Sequence, residues 1–527
     1  LRSRCCLGLV LLVLAAPPGA AAQRARLSLD PGWRFTLGDP AGAEKPGFDD
    51  RGWRQLDLPH DWSIEGTPAE SAPGGGRAGY YPSGTGWYRK AFRLPDGAKG
   101  RDLWLEFDGV YMNSDVWING VHLGRRPFGY IGLKYDITRQ VVSGVNVVAV
   151  RVDNSLQPNS RWYTGSGIYR HTWLTMVDPL HVGHWGTWVT TAGDSSRAQV
   201  TIRTRVENHQ AGSRRGTLRT TVLDAEAKEV VRKESPLELG AGDSTDVVQQ
   251  LEVQAPRRWS VEDPYLYRVR TEVIAAGRPA DVTTTTVGIR SIAYDKNQGF
   301  LLNGRRVKMR GVNLHHDGGA VGAAVPERLW LERLQALKAM GVNAIRTSHN
   351  PPAPEFLDLC DSLGFLVMAE AFDEWTIGKV PEGYHKYFAE WSERDVTDFV
   401  HRDRNHPSIV LWSAGNEIGE QSRPEGVEVL RRLIGIFHRE DSTRPVTTGN
   451  DQIVADGSPA TQEFLNALDI VGYNYVDRWH ERRELFAEQD RHDHPGWLMI
   501  GTESGSIFQS FDERYSLGDD SSVVRAN

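Results

Sequence analysis

Three regimes of hydrophobic and polar spacing follow one another along the chain. Over residues 27–179, short apolar/polar alternations are separated by turns, as in 103–107, 114–118 and 146–152. Asn119-Gly120 stands between two such segments and signals a hairpin with a tight two-residue turn. The glycine- and proline-rich run 71–86 reads as a long loop. This pattern predicts an all-β sandwich of jelly-roll type. A second all-β stretch covers 180–290, with strands expected at 198–203 and 267–273. Its size and turn spacing fit an immunoglobulin-like β-sandwich. At Gly288-Ile289-Arg290 the period changes again. Strands are expected at 307–312, 344–347, 365–369, 409–413, 445–448, 469–472 and 498–502, with helices at 326–340, 354–363, 389–401 and 424–438. Regular alternation implies a parallel sheet, and this number of units predicts a (β/α)8 TIM barrel. An eighth strand is not evident in the 24 or so residues after Glu503, so the barrel is expected to be incomplete. The expected organisation is 23–179 jelly-roll domain, 180–289 immunoglobulin-like sandwich, and 290–527 barrel, truncated after the seventh strand.

Residues 1–22 break this pattern. Arg2 and Arg4 precede an apolar run from Leu7 to Ala16, and Ala20-Ala21-Ala22 supplies small residues for cleavage. This reads as a secretory signal, so an exported protein, periplasmic or extracellular, is expected, with no membrane association after cleavage. Cys5 and Cys6 would leave with the signal, and Cys360 would remain as a buried small hydrophobe. The remaining composition is that of a large globular protein, with 24% charged and 39% hydrophobic residues. A net charge of -7 on 527 residues gives no support to nucleic-acid binding. The 17 tryptophans are expected mostly in sandwich cores, with some available to stack on sugar rings. Nothing in the sequence bears on oligomeric state.

In a barrel of this type the chemistry lies at the C-terminal ends of the strands. Asn313 and His315, His349 and Asn350, Glu370 and Asp373, Asn416 and Glu417, Tyr473 to Tyr475, and Glu503 all fall there. A single polar residue at a strand end often caps a helix; nearly every strand end carrying one is harder to assign to capping. Two carboxylates at two strand ends, Glu417 and Glu503, are what glycosidic cleavage requires: a proton donor to the leaving oxygen and, in retaining enzymes, a nucleophile about 5–5.5 Å away. The donor must hold its proton near neutral pH, so its pKa is expected to be raised. Asn416 is placed to donate to a sugar hydroxyl. The chain has no HExxH or CxxC spacing, P-loop, nucleophile elbow or strand-linked GxGxxG, so no metal ligands are assigned.

The segment 343–352, with Arg346, His349 and Asn350, resembles the first signature of glycoside hydrolase family 2. The segment 404–417, from Arg404-Asn405-His406-Pro407-Ser408 to Asn416-Glu417, resembles the second. Residues 160–170 and 311–315 resemble further blocks of that family, as does the order of domains. The resemblance implies a retaining exo-β-glycosidase, β-galactosidase first, with β-glucuronidase, β-mannosidase and a non-catalytic carbohydrate-binding protein as alternatives. It implies Glu417 as acid/base, Glu503 as nucleophile, and His315, His349, Asn350, Asp373, Asn416 and Tyr475 as sugar contacts. No cofactor is required by this scheme. Magnesium or sodium is left open, because some members hold magnesium through a Glu and a His after the third strand. Here Glu374 fits the first place, but Trp375 and Thr376 follow. Asn350 also departs from the family's usual Tyr.

Overall fold

The computed structural model describes residues 24–453, 459–475 and 488–503. The expected signal segment and the residues after Glu503 lie outside these. Among the described residues, no helix is long and apolar enough to cross a membrane.

The chain builds two antiparallel sandwiches and a parallel barrel sheet. In the first sandwich a six-stranded sheet faces a four-stranded one. Trp33, Tyr88, Leu105, Phe107, Val116, Ile118 and Val150 fill the space between them. The hairpin Ser114–Ile118/Val121–Arg126 turns at Asn119 and Gly120 with φ of 51° and 81°. Both values lie in the left-handed region that a type I′ turn requires and that Asn-Gly adopts most readily. The loop expected over 71–86 ends early, because Gly84 already begins the strand Gly84–Arg93. Gly86 has no room for a side chain: a Cβ there would lie 2.7 Å from the Trp62 ring and 2.9 Å from Phe35. The second sandwich pairs a three-stranded with a four-stranded sheet, closed by Val200, Ile202, Val222, Leu251 and Val269. Trp33, Trp62, Trp87 and Trp104 are buried in the first sandwich, but Trp330, Trp375 and Trp412 lie in the barrel core, so tryptophan serves both layers.

Among the described residues the barrel sheet has seven parallel strands in chain order: Gly311–Leu314, Ala344–Thr347, Leu366–Glu370, Ile409–Asn416, Val446–Asn450, Val471–Asn474 and Met499–Glu503. The second to sixth are buried along their whole length, as parallel strands covered on both faces must be. The first strand starts four residues later than expected. Val307 and Met309 instead pack under the barrel, beside Trp259, Phe300, Leu302, Leu366 and Leu411. The helix Pro354–Leu363 has the expected limits, set by Pro at its start and Gly364 at φ 72° after its end. The helix His385–Asp403 begins four residues earlier than expected, because Glu374 accepts a hydrogen bond from the His385 amide at 2.9 Å. A cap delivered from a distant loop leaves no local sequence signal. Cys360 is buried in the barrel core, where the apolar pattern puts it.

Specific contacts dock the sandwiches on the barrel. Much of the segment 404–408 is an interface. Asn405 pairs with the second sandwich through the Val189 amide (2.9 Å) and the Thr187 carbonyl (2.7 Å). A Cβ on Gly288 would meet Pro407 at 2.7 Å, so only glycine permits that approach. The first sandwich is held by Arg126, which reaches Asp395 at 2.5 Å and Asp398 at 2.8 Å on the helix His385–Asp403. Arg126 and Asp395 are both buried. Arg126→Met leaves Asp395 buried without its cation and is expected to lower stability by about 3–5 kcal/mol, read as a shift of the denaturant midpoint.

Candidate active site

The strand ends converge on one buried guanidinium. Arg346, in the middle of the apolar second strand, donates to Glu370 on the third strand (2.9 and 2.6 Å) and to Glu503 on the seventh (2.8 Å). It also donates to Asn416 on the fourth (2.9 Å) and to Asn313 on the first (3.5 Å). Gly449 makes room for this: a Cβ there would lie 2.8 Å from Arg346 Nη2 and from Asn474 Oδ1. Glu370 is wholly buried and also meets His349 Nδ1 at 2.6 Å and the Ser413 hydroxyl at 2.7 Å. Burial pushes its carboxyl up, but Arg346 and His349 outweigh this and hold it below the ordinary range.

Glu417 follows the fourth strand with φ 44°, and Tyr475 follows the sixth with φ 62°. A left-handed backbone costs an L-residue about 1–2 kcal/mol, and such outliers cluster at functional sites. The Glu417 amide is tied to the Gly449 carbonyl at 2.7 Å, and the Tyr475 amide donates to the Glu503 carbonyl. These turns aim both side chains inward. The Tyr475 hydroxyl is hydrogen bonded to Glu417 and to Glu503. Asn474 donates to Glu417 at 3.1 Å and to Asn416 at 3.1 Å, and is itself oriented by the Thr502 hydroxyl at 2.5 Å.

The first sandwich supplies the facing wall. Arg161 makes a paired contact with Asp373 (2.9 and 2.6 Å), and its Nη1 stands 3.6 Å from Glu417. Lys379 reaches Asp373 at 2.9 Å and the Asn416 carbonyl at 2.7 Å. Asn416 donates to Asp373 at 3.0 Å. Burial would raise the Asp373 carboxyl, yet Lys379, Arg161 and His349 hold it well below the usual range. Trp162 stacks on His315 at 5.0 Å between ring centroids and meets His349 edge-on at 5.4 Å. Burial and the neighbouring His349 push His315 down to about 4, so it stays neutral at ordinary pH.

Of the residues singled out from sequence, Glu417, Glu503, His349, Asp373, Asn416 and Tyr475 lie in one bonded network, and His315 adjoins it through Trp162 and His349. Asn350 is buried, and the bond its amide makes goes to the Ser348 carbonyl at 3.4 Å, within its own loop. The expected direction of the Glu417 shift is reversed. Burial raises its carboxyl, but Tyr475, Lys379, Asn474 and Arg161 outweigh burial and leave it below the ordinary value. Two of those groups come from another domain and another loop, so the strand motif could not reveal them. Arg161, Trp162, Arg346 and Lys379 were missed as site residues, and Asn474 was marked only by its place in the run 473–475 at the sixth strand end. Arg346 did have a signal: a lone charge inside an otherwise apolar buried strand must find buried partners. Glu374 is engaged within the protein, and His385 Nδ1 also stands 3.0 Å from its carboxylate. Its two carboxylate oxygens accept from the Lys379 amide (2.6 Å) and the His385 amide (2.9 Å), and Thr376, where a histidine would be needed, donates to Glu420 at 2.5 Å.

Three family models match consecutive parts of the chain. The sugar binding domain of glycosyl hydrolases family 2 matches residues 80–177, the central family 2 model 181–290, and the family 2 TIM barrel domain 294–496. A protein of Bacteroides ovatus named beta-galactosidase BoGH2A is 45% identical over 493 residues, covering 87% of this chain and 57% of that protein. A beta-glucuronidase of Bacteroides fragilis is 30% identical over 522 residues, covering 94% and 70%. A crystal structure of a family 2 member from Bacteroides cellulosilyticus superposes with a TM-score of 0.87 at 40% identity, covering 91% of this chain and 61% of that one. The chain thus spans little more than half the length of the B. ovatus relative.

Proposed function

The chain belongs to glycosyl hydrolases family 2, and from that premise we propose that it is a retaining exo-β-glycosidase releasing terminal β-D-galactosyl residues from oligosaccharides. The observation that carries this is the Tyr475 hydroxyl shared by Glu417 and Glu503. The shared hydroxyl brings both carboxylates to one side chain. A retaining pair, about 5–5.5 Å apart, needs that proximity, and membership of the family supports the retaining reading.

In this reading Glu503 attacks the anomeric carbon. The glycosidic C–O bond breaks, and the leaving oxygen takes the proton of Glu417. Glu417 then removes a proton from water, which displaces Glu503 and returns the sugar with its original configuration. Arg346, Tyr475 and His349 hold Glu503 in place for the attack. Asn416, fixed by Asp373 and Asn474, is set to bind the sugar 2-hydroxyl, a bond that strengthens as positive charge develops on the ring. His315 and Trp162 offer a flat, uncharged face to the sugar. No step needs a metal.

A neutral sugar is favoured over a uronic acid. Among the described residues, the cations facing the site, Arg161, Lys379 and Arg346, are each already paired with Asp373, Glu370 or Glu503. The B. ovatus name points the same way, while the B. fragilis name keeps β-glucuronidase as the second reading. Export to the periplasm or beyond the cell is part of the proposal, carried by the leader-like residues 1–22.

Full-length enzyme is expected to hydrolyse an aryl β-D-galactoside well above the matching glucuronide and mannoside, and NMR should show the β-anomer released first. Glu417→Gln and Glu503→Gln should each lower turnover by about 10²–10⁴-fold or more. An α-anomer product, or near wild-type rates in either variant, would sink the assignment.

The pH profile tests the role of Arg161. The first step needs Glu417 protonated, and Arg161 favours the ionised form. Removing that cation raises the Glu417 pKa, so in Arg161→Gln the alkaline limb of kcat/KM should move to higher pH, by about half a unit to one unit. An unmoved limb would place Arg161 in a purely structural role.

A further inference from the structure

The loop that carries Arg161 and Trp162 runs from the end of the strand Val145–Asn154 to the start of Thr172–Val177. Apart from one bridge at Gly167, its backbone forms neither helix nor strand. Other groups must therefore hold residues 160–166 in place. Asp61 lies on a separate loop of the same sandwich, between Arg54–Leu56 and Gly84–Arg93, and is 3% exposed. Its Oδ1 accepts from the Ser63 amide (3.0 Å) and the Ser166 amide (2.9 Å). Its Oδ2 accepts from the Tyr163 hydroxyl (2.6 Å) and the Ala323 amide (2.8 Å).

Tyr163 and Ser166 belong to the loop of Arg161 and Trp162. Ala323 belongs to the barrel, on the segment between the first strand, Gly311–Leu314, and the helix Glu327–Ala339. That segment also carries His315, on which Trp162 stacks, and His316, whose ring is hydrogen bonded to the Ala323 backbone. One carboxylate thus joins the two loops that meet in the Trp162–His315 stack. Glycines make the approach possible. A Cβ on Gly165 or on Gly322 would lie 2.3 Å from Asp61 Oδ2, and both residues have positive φ, 65° and 62°. All four donors are neutral, so the buried charge is compensated by hydrogen bonds alone and each one counts. Arg161 is fixed at its tip by Asp373 and, two residues along the chain, at its backbone by the Tyr163–Asp61 bond. Its Nη1 stands 3.6 Å from Glu417, where the interaction varies steeply with position.

We propose that Asp61 is a positioning residue for the hydrolytic site: by clasping the sandwich loop to the barrel loop, it sets where Arg161 stands against Glu417 and where Trp162 stands against His315. This role rests on the hydrolytic reading; Asp61 acts through Arg161 and Trp162, not on the sugar. An amide in its place would turn an N–H toward donors that need an acceptor, and would loosen the clasp with little change of shape.

Full-length Asp61→Asn and Tyr163→Phe test it. Asp61→Asn should lower kcat/KM for an aryl β-D-galactoside by about 10²-fold, the loss that a displacement of about 1 Å at an active site causes. Its alkaline limb should move to higher pH, as in Arg161→Gln, by up to about half a unit. The limb should move no further when Asp61→Asn is added to Arg161→Gln. Tyr163→Phe leaves the other three bonds in place and should shift the limb the same way by less; where Asp61→Asn does not fold, this variant decides. Amide exchange reads the clasp without substrate: the Ser166 and Ala323 amides should exchange about 10-fold faster in Asp61→Asn. An inactive wild type would sink the hydrolytic reading and this role with it, whatever the exchange rates. With active wild type, unchanged exchange, a limb that stays in place in the folded variants, or a shift that adds in full to that of Arg161→Gln would overturn the proposal and leave Asp61 as a structural tie.

Discussion

Arg346 is the constraint on which the site depends. A guanidinium buried at the barrel axis is costly to desolvate and stays there only while its donors are met. They are met by groups on the first, third, fourth and seventh strands: Asn313, Glu370, Asn416 and Glu503. Five strand ends are thereby held to one another, with Arg346 itself on the second. Glu503 is oriented by the same cation that pairs with Glu370, so the nucleophile proposed here is positioned by a partner that never needs to touch sugar. The rest of the pocket is arranged around that fixed point.

The second organising feature is that the barrel does not complete its own site. Arg161 and Trp162 come from the first sandwich, one closing on Asp373 and Glu417, the other stacking on His315. The docking contacts therefore have a chemical consequence. Arg126 pairs with the barrel helix, and Asn405 pairs with the second sandwich, setting the distance at which Arg161 stands from Glu417. A shift of 1 Å in that interface would change the charge balance at the Glu417 carboxyl. The cations and donors around Glu417 favour its ionised form, which suits the base proposed for the second step; in the proposed first step the sugar and Glu503 would tip the balance the other way.

Much of the molecule is legible in the sequence where the governing interactions are local. The hairpin at Asn119-Gly120 follows from the left-handed backbone its turn needs. The helix Pro354–Leu363 has its expected limits because proline and glycine punctuate it. The strand end carrying Glu417 could be found because buried parallel strands are continuous apolar runs that stop where polar groups reach the pocket; the one carrying Glu503 follows a short apolar run that is only partly buried. Boundaries failed where a distant group intervened. The helix at His385 is capped by Glu374, and Val307 and Met309 were drawn under the barrel by Trp259 and Phe300.

The sequence by itself determined the order of the three folding units, the family and the two carboxylates, because periodicity, turn chemistry and motif spacing are properties of neighbouring residues. Only the tertiary structure decided what surrounds those carboxylates. It showed that Asn405 serves an interface and not the site, that Glu374 clamps a loop, and that Glu417 is held below the ordinary carboxylate range and not above it. The physical reason is the range of the forces. Backbone preferences act over a few residues, whereas the charge on a carboxyl answers to any cation within a few ångströms, and Arg161 and Lys379 reach that distance only after the chain has folded.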